Sequence, residues 1–167
     1  MRVLVSGGSG FVGSNVVEVL TRHDVDVLAP GRAELDVTDA DAVRRYAEAR
    51  RPDGIVHAAI WNDLAGLVTD RRRAWTAYVG ATRAVVHAAN RVGAHVVLVS
   101  TDWVFDGTQG PAAEDEPPDP VNTYGFLKAA SELVVSERIG DRGGEVAEAG
   151  VLGARRAAGS RSGMVRA

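Results

Sequence analysis

Apolar positions over the first 138 residues alternate between short continuous runs and longer stretches spaced at three and four, the pattern of strands alternating with helices. Residues 2–6 (RVLVS) are an apolar run cut off by Gly7-Gly8, as expected of a strand buried on both faces of a parallel sheet. Phe11, Val12, Val16, Val19 and Leu20 then recur at helical spacing. Residues 25–29 (VDVLA) predict a second strand, ended by Pro30-Gly31. Thr38 with Asp41 predicts the cap and acidic first turn of a helix running to about Arg51, before Pro52. A third strand is expected over 54–59 and a longer helix over 71–92, where Trp75, Tyr78, Val79, Thr82, Val85, Val86 and Ala89 trace one apolar stripe. The fourth strand is 94–100 (AHVVLVS), and residues 105–121 form a turn-rich acidic loop. Asn122 or Thr123 caps a last helix that reaches about Arg138.

Regular strand–helix alternation predicts βαβ units with right-handed crossovers. The fold class is therefore α/β, a Rossmann-type doubly wound parallel sheet covered on both faces. In strand order 3-2-1-4, the run 94–100 lies at an outer edge, and so apolar an edge needs cover. Residues 146–152 or a second subunit are candidates for it. From residue 139 the character changes: seven glycines, several arginines without amphipathic period and no aromatic residue. We find no internal repeat.

A length of 167 residues suits one ordinary domain. The formal net charge of -3 argues against a protein that neutralises nucleic-acid phosphates. No run approaches the ~18 apolar residues that span a bilayer. Without cysteine there are no disulfides, thiolate nucleophiles or cysteine-bound metals, and four scattered histidines give no metal-binding spacing, so no metal is expected. The opening MRVLVSGG is not the basic-then-apolar pattern of a signal peptide, which makes the cytoplasm the expected compartment. Of 19 basic residues, only Lys128 is a lysine.

The segment SGGSGFVGS places Gly7, Gly10 and Gly13 between a buried strand and an amphipathic helix. There, missing side chains let a pyrophosphate approach the backbone, and the helix N-terminus favours its charge. This points to a dinucleotide. A chain selective for NAD usually carries Asp or Glu at the end of the second strand, but here the sequence reads Ala29, Pro30, Gly31, Arg32. An arginine suits a 2'-phosphate, so NADP(H) is expected over NAD(H), the alternative for Arg32 being an ordinary surface residue.

Thr101 follows the fourth strand, and Tyr124 and Lys128 stand four apart on the last helix, so all three can converge beyond the carboxyl ends of the strands. A phenol can donate its proton to a carbonyl oxygen that receives hydride. Lowering its pKa by ~3 units toward neutrality takes ~4 kcal/mol, and a cation must outweigh burial, which acts the other way. Lys128 is the nearby cation in the motif. Trp61, Trp75 and Trp103 are expected as packing residues, His57 as a satisfied core residue, and Glu114, Asp115 and Glu116 as a solvated loop face.

In this order, GGSGFVGS, GIVHAA, STDWVFDG and YGFLK resemble the extended short-chain dehydrogenase/reductase superfamily; STDWVFDG and GRAELDVTD resemble in particular its dTDP-4-dehydrorhamnose reductase family. The resemblance covers residues 1–138. It implies an NAD(P)-binding Rossmann domain there, followed by an atypical tail (139–167) of a chain truncated or frame-shifted near residue 140, without the substrate-binding lobe. By this resemblance Thr101, Tyr124 and Lys128 match the catalytic residues. Gly7, Gly10, Phe11, Val12 and Gly13 match the pyrophosphate loop, Arg32 a cofactor-phosphate contact, Asp36 and Val37 the adenine contacts, and Ala58 and Ala59 the strand end beside the cofactor. The implied reaction is hydride transfer to the C4 keto group of a nucleotide-linked deoxyhexose, with Tyr124 supplying the proton. Two copies would pair through the fourth- and fifth-unit helices. The alternatives are a sugar-nucleotide epimerase or dehydratase, and a catalytically idle NADP-binding regulatory module. Tyr78 departs from the superfamily, which commonly has Asn there.

Overall fold

The computed structural model describes residues 1–108, 112–113, 116–137 and 149–152. Strands β1 (Arg2–Ser6), β2 (Asp26–Leu28), β3 (Gly54–His57), β4 (His95–Val99) and β5 (Ala149–Leu152) form one parallel sheet in the order β2-β1-β3-β4-β5. Between them run helices α1 (Phe11–Arg22), α2 (Ala40–Arg50), α3 (Leu64–Thr69), α4 (Arg71–Trp75), α5 (Ala81–Val92) and α6 (Thr123–Glu137). A π turn, Thr76–Gly80, joins α4 to α5, and a 3-10 turn, Asp102–Val104, follows β4.

The Rossmann-like α/β architecture is the one the alternation predicts, but the sheet does not follow the order 3-2-1-4. Every residue of β1 after Arg2 is buried, and β1 takes β2 on one side and β3 on the other, with Val3 opposite Gly54 and Ser6 opposite His57. An apolar run of this kind belongs in the middle of a sheet. Nor is β4 an edge, because β5 pairs with it from Val96 opposite Ala149 to Val99 opposite Leu152. This is the element expected within 146–152; the rest of the glycine- and arginine-rich tail lies outside the described residues.

Right-handed crossovers put α1 on one face and α2, α5 and α6 on the other, where α2 packs on α5 and α5 on α6. The main core lies on this second face. Leu4, Ile55, Val96 and Leu98 of the sheet meet Val43 and Ala47 of α2, Val85 and Ala89 of α5 and Val135 of α6. Alanines at the contacts let the helices sit close to one another and to the strands. Among the described residues, cover on both faces holds for β1 but not for β3 and β4. Among the described residues α1 packs on β1 and β2, and Val56, Val97 and Val99 stay half-buried between the buried Ile55, Val96 and Leu98.

Local chemistry explains the other departures. Asp39, not Thr38, caps α2 by accepting from Ala42 N at 3.0 Å, because the Thr38 hydroxyl donates to Asp36 Oδ1 at 2.7 Å. The helix expected over 71–92 is interrupted by the π turn. Its extra residue turns the preceding segment, so Ala74 is buried and Trp75 is exposed, while Tyr78, Val79 and Thr82 keep the expected stripe. Phe11 and Val12 leave the stripe of α1: the first turn stands at the carboxyl edge of the sheet, and Phe11 is 88% exposed. Asp63 caps α3, accepting from Gly66 N; the hydrophobic pattern does not predict this short helix.

Ala89 is fully buried on α5 whereas Phe11 packs against nothing that excludes water. Ala89→Leu should therefore cost about 1–3 kcal/mol in urea unfolding and Phe11→Ala less than about 0.5 kcal/mol. Comparable losses in the two variants would contradict this placement of the core.

Candidate active site

The carboxyl ends of the strands gather the residues that the sequence singles out. The turn after β1 requires glycine twice. Gly7 has φ +74°, and a Cβ there would lie 2.6 Å from Ala59 N; a Cβ on Gly13 would lie 2.1 Å from Gly7 O. Loop, helix start and Ala58-Ala59 are thus in backbone contact. Gly10 N–H donates to Gly7 O at 2.9 Å, and no side chain caps α1 at Gly10. An anion-sized group can approach such a helix start, where backbone dipoles favour negative charge. Phe11 and Val12 project beside it.

After β2, Arg32 is exposed and pairs with Asp36 at 3.4 Å. The Asp36 carboxyl is held below its ordinary range, first by the Thr38 hydroxyl and backbone N–H and further by Arg32. Val37 is half-buried against the main core. The two expected cofactor contacts, Arg32 and Asp36, are therefore partners of each other.

Thr101 and Tyr124 come together at the ends of β4 and α6. Asn122 caps this helix, accepting from Gly125 N at 2.8 Å. The Thr101 hydroxyl lies beside the Tyr124 phenol, donates to Asp102 Oδ1 at 3.2 Å and accepts from Trp103 N at 3.3 Å. The Tyr124 ring meets Tyr78 and Trp103 edge-on, with centroids 5.9 and 5.7 Å apart. Tyr78 is buried in the π turn and donates to Trp61 O at 3.0 Å. Burial is the main influence on Tyr124 and pushes its pKa up; Thr101 pulls it down, and Asp102 pushes it up.

Lys128 lies deeper than the phenol. It is 3% exposed, and its ammonium donates to Val99 O, not to Tyr124. Burial brings its pKa down to about 8 against the opposing pull of Glu132. The expected depression of the Tyr124 pKa by Lys128 is therefore absent from this arrangement, because the ammonium is turned to the strand and burial of the phenol dominates. His57 is a satisfied core residue, sharing a 2.7 Å hydrogen bond with Ser6 Oγ. Sequence reasoning missed Glu132, which is 6% exposed and accepts a hydrogen bond from Ser100 Oγ. Its spacing of four from Lys128 was the available signal.

Trp61 packs, as expected, against the smaller core of Leu67, Ala74, Tyr78, Val79 and Leu127, whereas Trp75 and Trp103 depart from the packing expectation. Trp75 and Trp103 are each about half exposed, while Trp61 is half-buried under the Arg73 guanidinium, 4.2 Å from its ring centroid. Glu116 is half-buried, and Glu114 and Asp115 lie outside the described residues. Among the described residues no group of three or more His, Asp or Glu could hold a metal ion, and no helix is long and apolar enough to cross a membrane.

Residues 1–143 match the family model described as the RmlD substrate binding domain. The chain is 36% identical over 154 residues to a dTDP-4-dehydrorhamnose reductase of Streptomyces griseus, covering 92% of this chain and 51% of that protein. It is 33% identical over 153 residues to a dTDP-4-keto-6-deoxy-D-glucose reductase of Streptomyces niveus, covering 91% and 53%. A crystal structure of a Bacillus anthracis dTDP-4-dehydrorhamnose reductase in complex with NADP superposes with a TM-score of 0.76 at 31% identity, over 81% of this chain and 49% of that one. The chain spans about half the length of the curated relatives it matches.

Burial first, and the Lys128 charge second, push the His57 pKa down to about 3, so His57 is neutral in the folded chain. Unfolding restores its ordinary value of about 6.5. Below that value the unfolded state binds a proton that the folded state does not, and stability falls with pH through a window from about 6.5 down to about 3. In urea unfolding the wild type should lose about 2–3 kcal/mol more than His57→Asn between about pH 7 and about pH 4.5. Parallel pH dependences of the two proteins would contradict a neutral, buried His57.

Proposed function

Since the chain belongs to the RmlD substrate binding domain family, we propose that it carries the cofactor-binding and proton-donating half of an NADP(H)-dependent reductase of a nucleotide-linked 4-keto-6-deoxy sugar, acting in the cytoplasm. The observation that carries this reading is the meeting of the Thr101 hydroxyl and the Tyr124 phenol at the carboxyl edge of the sheet that also presents the glycine loop. The residues present fit the cofactor. A tight glycine turn leaves backbone where side chains would stand, α1 starts without a side-chain cap, and exposed Arg32 follows β2.

NADPH, when bound, supplies the hydride. The chain's own residues bind, orient and donate. Gly7, Gly10, Phe11, Val12 and Gly13 receive the pyrophosphate, Ala58 and Ala59 wall the cleft, and Asp36 and Val37 border the adenine side. Arg32 offers a guanidinium to a 2'-phosphate and, by pairing with Asp36, neutralises the carboxylate that would otherwise repel it. Tyr124 remains protonated at neutral pH because burial raises its pKa, and it gives that proton to the carbonyl oxygen as charge develops there. Thr101 hydrogen-bonds at the same oxygen or at the phenol, and Lys128 places a positive charge one helical turn behind them. The exposed apolar side chains of Trp75, Val121 and Phe126 support the pairing of two copies through this face.

With the purified chain, NADPH fluorescence titration should show binding. Oxidation of NADPH with dTDP-4-dehydro-6-deoxy-L-mannose should fall at least about 100-fold in Tyr124→Phe, with cofactor affinity retained. Binding without turnover in the wild type would instead identify an idle cofactor module, and a product epimerised without net NADPH oxidation would identify an epimerase.

Arg32→Ala should weaken NADPH binding about tenfold or more while leaving NADH binding unchanged, since a charge-assisted contact to the 2'-phosphate is worth about 1.5–3 kcal/mol. An equal effect on both cofactors would remove Arg32 from the phosphate site.

A further inference from the structure

The inner face of α6 buries a carboxylate in a largely apolar setting. Glu132 is 6% exposed and accepts from Ser100 Oγ, just beyond the end of β4. Four residues earlier on the same helix, Lys128 is 3% exposed and donates to Val99 O, the residue preceding Ser100. Two opposite charges therefore lie one helical turn apart, each tied to one of two consecutive residues that lead into Thr101. A charge withdrawn from water is costly unless an opposite charge or hydrogen bonds compensate it.

Among the described residues, the other elements around Lys128 offer no such compensation. β3 brings His57, neutral and bonded to Ser6, and the π turn brings Tyr78, whose burial raises its pKa. α5 contributes Arg83, His87 and Arg91 and no carboxylate, and α6 itself contributes Tyr124 and, exposed at its far end, Glu137. Asp102, in the 3-10 turn, acts on Tyr124. Glu132 acts on Lys128 and opposes the effect of burial.

We propose that Glu132 is the built-in counter-charge of Lys128, a positioning residue that holds the single lysine of the chain in its ammonium form inside the fold, with Ser100 fixing the carboxylate in place by donating to it. The significance of that ammonium rests on the proposed reductase reading, whereas the charge pairing does not, because it exists without any ligand. A purely structural Glu132 would serve only to accept hydrogen bonds, that of the Ser100 hydroxyl among them. Its replacement by an amide would then leave the charge state of Lys128 unchanged.

The lone lysine makes the test direct. A chain labelled with 13C-lysine gives one ε-carbon resonance, which can be titrated without cofactor, so a failure to bind NADP(H) leaves the measurement intact. The wild-type midpoint is expected at about 8. In Glu132→Gln it should fall by about one pH unit or more, Glu132→Asp should recover part of the shift, and Ser100→Ala should give a smaller fall. An unchanged midpoint in Glu132→Gln, with circular dichroism and thermal unfolding like the wild type, would overturn the proposal. Should Glu132→Gln fail to fold, Ser100→Ala decides: a lowered midpoint supports the counter-charge, and an unmoved one overturns it.

Discussion

A lysine ammonium with almost no access to water constrains everything near it. Lys128 needs acceptors and an opposing charge, and it finds a carbonyl on β4 and a carboxylate on its own helix. To meet them, α6 must lie against the end of β4 in one rotation and at one height. That placement carries Tyr124, one turn earlier, to Thr101 and the 3-10 turn. The same charge works on β3, where it reinforces burial in keeping His57 neutral. Sheet, helix and candidate chemistry are thus joined by one cluster of buried polar groups, with Ser6, His57, Ser100, Lys128 and Glu132 each bonded inside it. Satisfied clusters of this kind specify a single packing, since any slip would leave a buried polar group unpaired.

The glycine turn imposes the second constraint, and it is steric. Gly7 and Gly13 allow β1, the start of α1 and the end of β3 to touch through backbone alone. The consequence is a helix start with no side chain over it and an aromatic ring, Phe11, left in solvent. A stability-driven sequence has no reason to expose Phe11 there, which is why that ring is more informative about binding than about packing.

Much of this was legible in the sequence, and the failures have physical causes. β1, β4 and α6 follow from apolar runs and a cap, because burial on both faces or along one stripe leaves a clear period. Strand order was not legible: hydrophobic pattern records how deeply a strand is buried, not which neighbour it takes. The π turn escaped because one inserted residue preserves the apolar stripe on either side while rotating Trp75 out of it. Asp39 displaced Thr38 as the cap through a side-chain hydrogen bond two residues back, a competition that pattern cannot rank. For the candidate site, spacing and residue type single out Gly7, Arg32, Thr101, Tyr124 and Lys128. Glu132 does not stand out, because a glutamate on a helix is ordinarily solvated, and only the fold turns it inward.

The arrangement also revises how the phenol works. A tyrosine tuned toward neutrality would need its cation at hydrogen-bonding range, yet the ammonium is committed to Val99 O and the phenol is raised by burial. A phenol held protonated is a competent donor but a poor base. At neutral pH it is therefore ready to deliver a proton rather than to take one up. Thr101 opposes the effect of burial by stabilising the phenolate. The protonation of Tyr124 is then set by its burial against Tyr78 and Trp103 and by its neighbours Thr101 and Asp102, rather than by the lysine that its spacing first suggests.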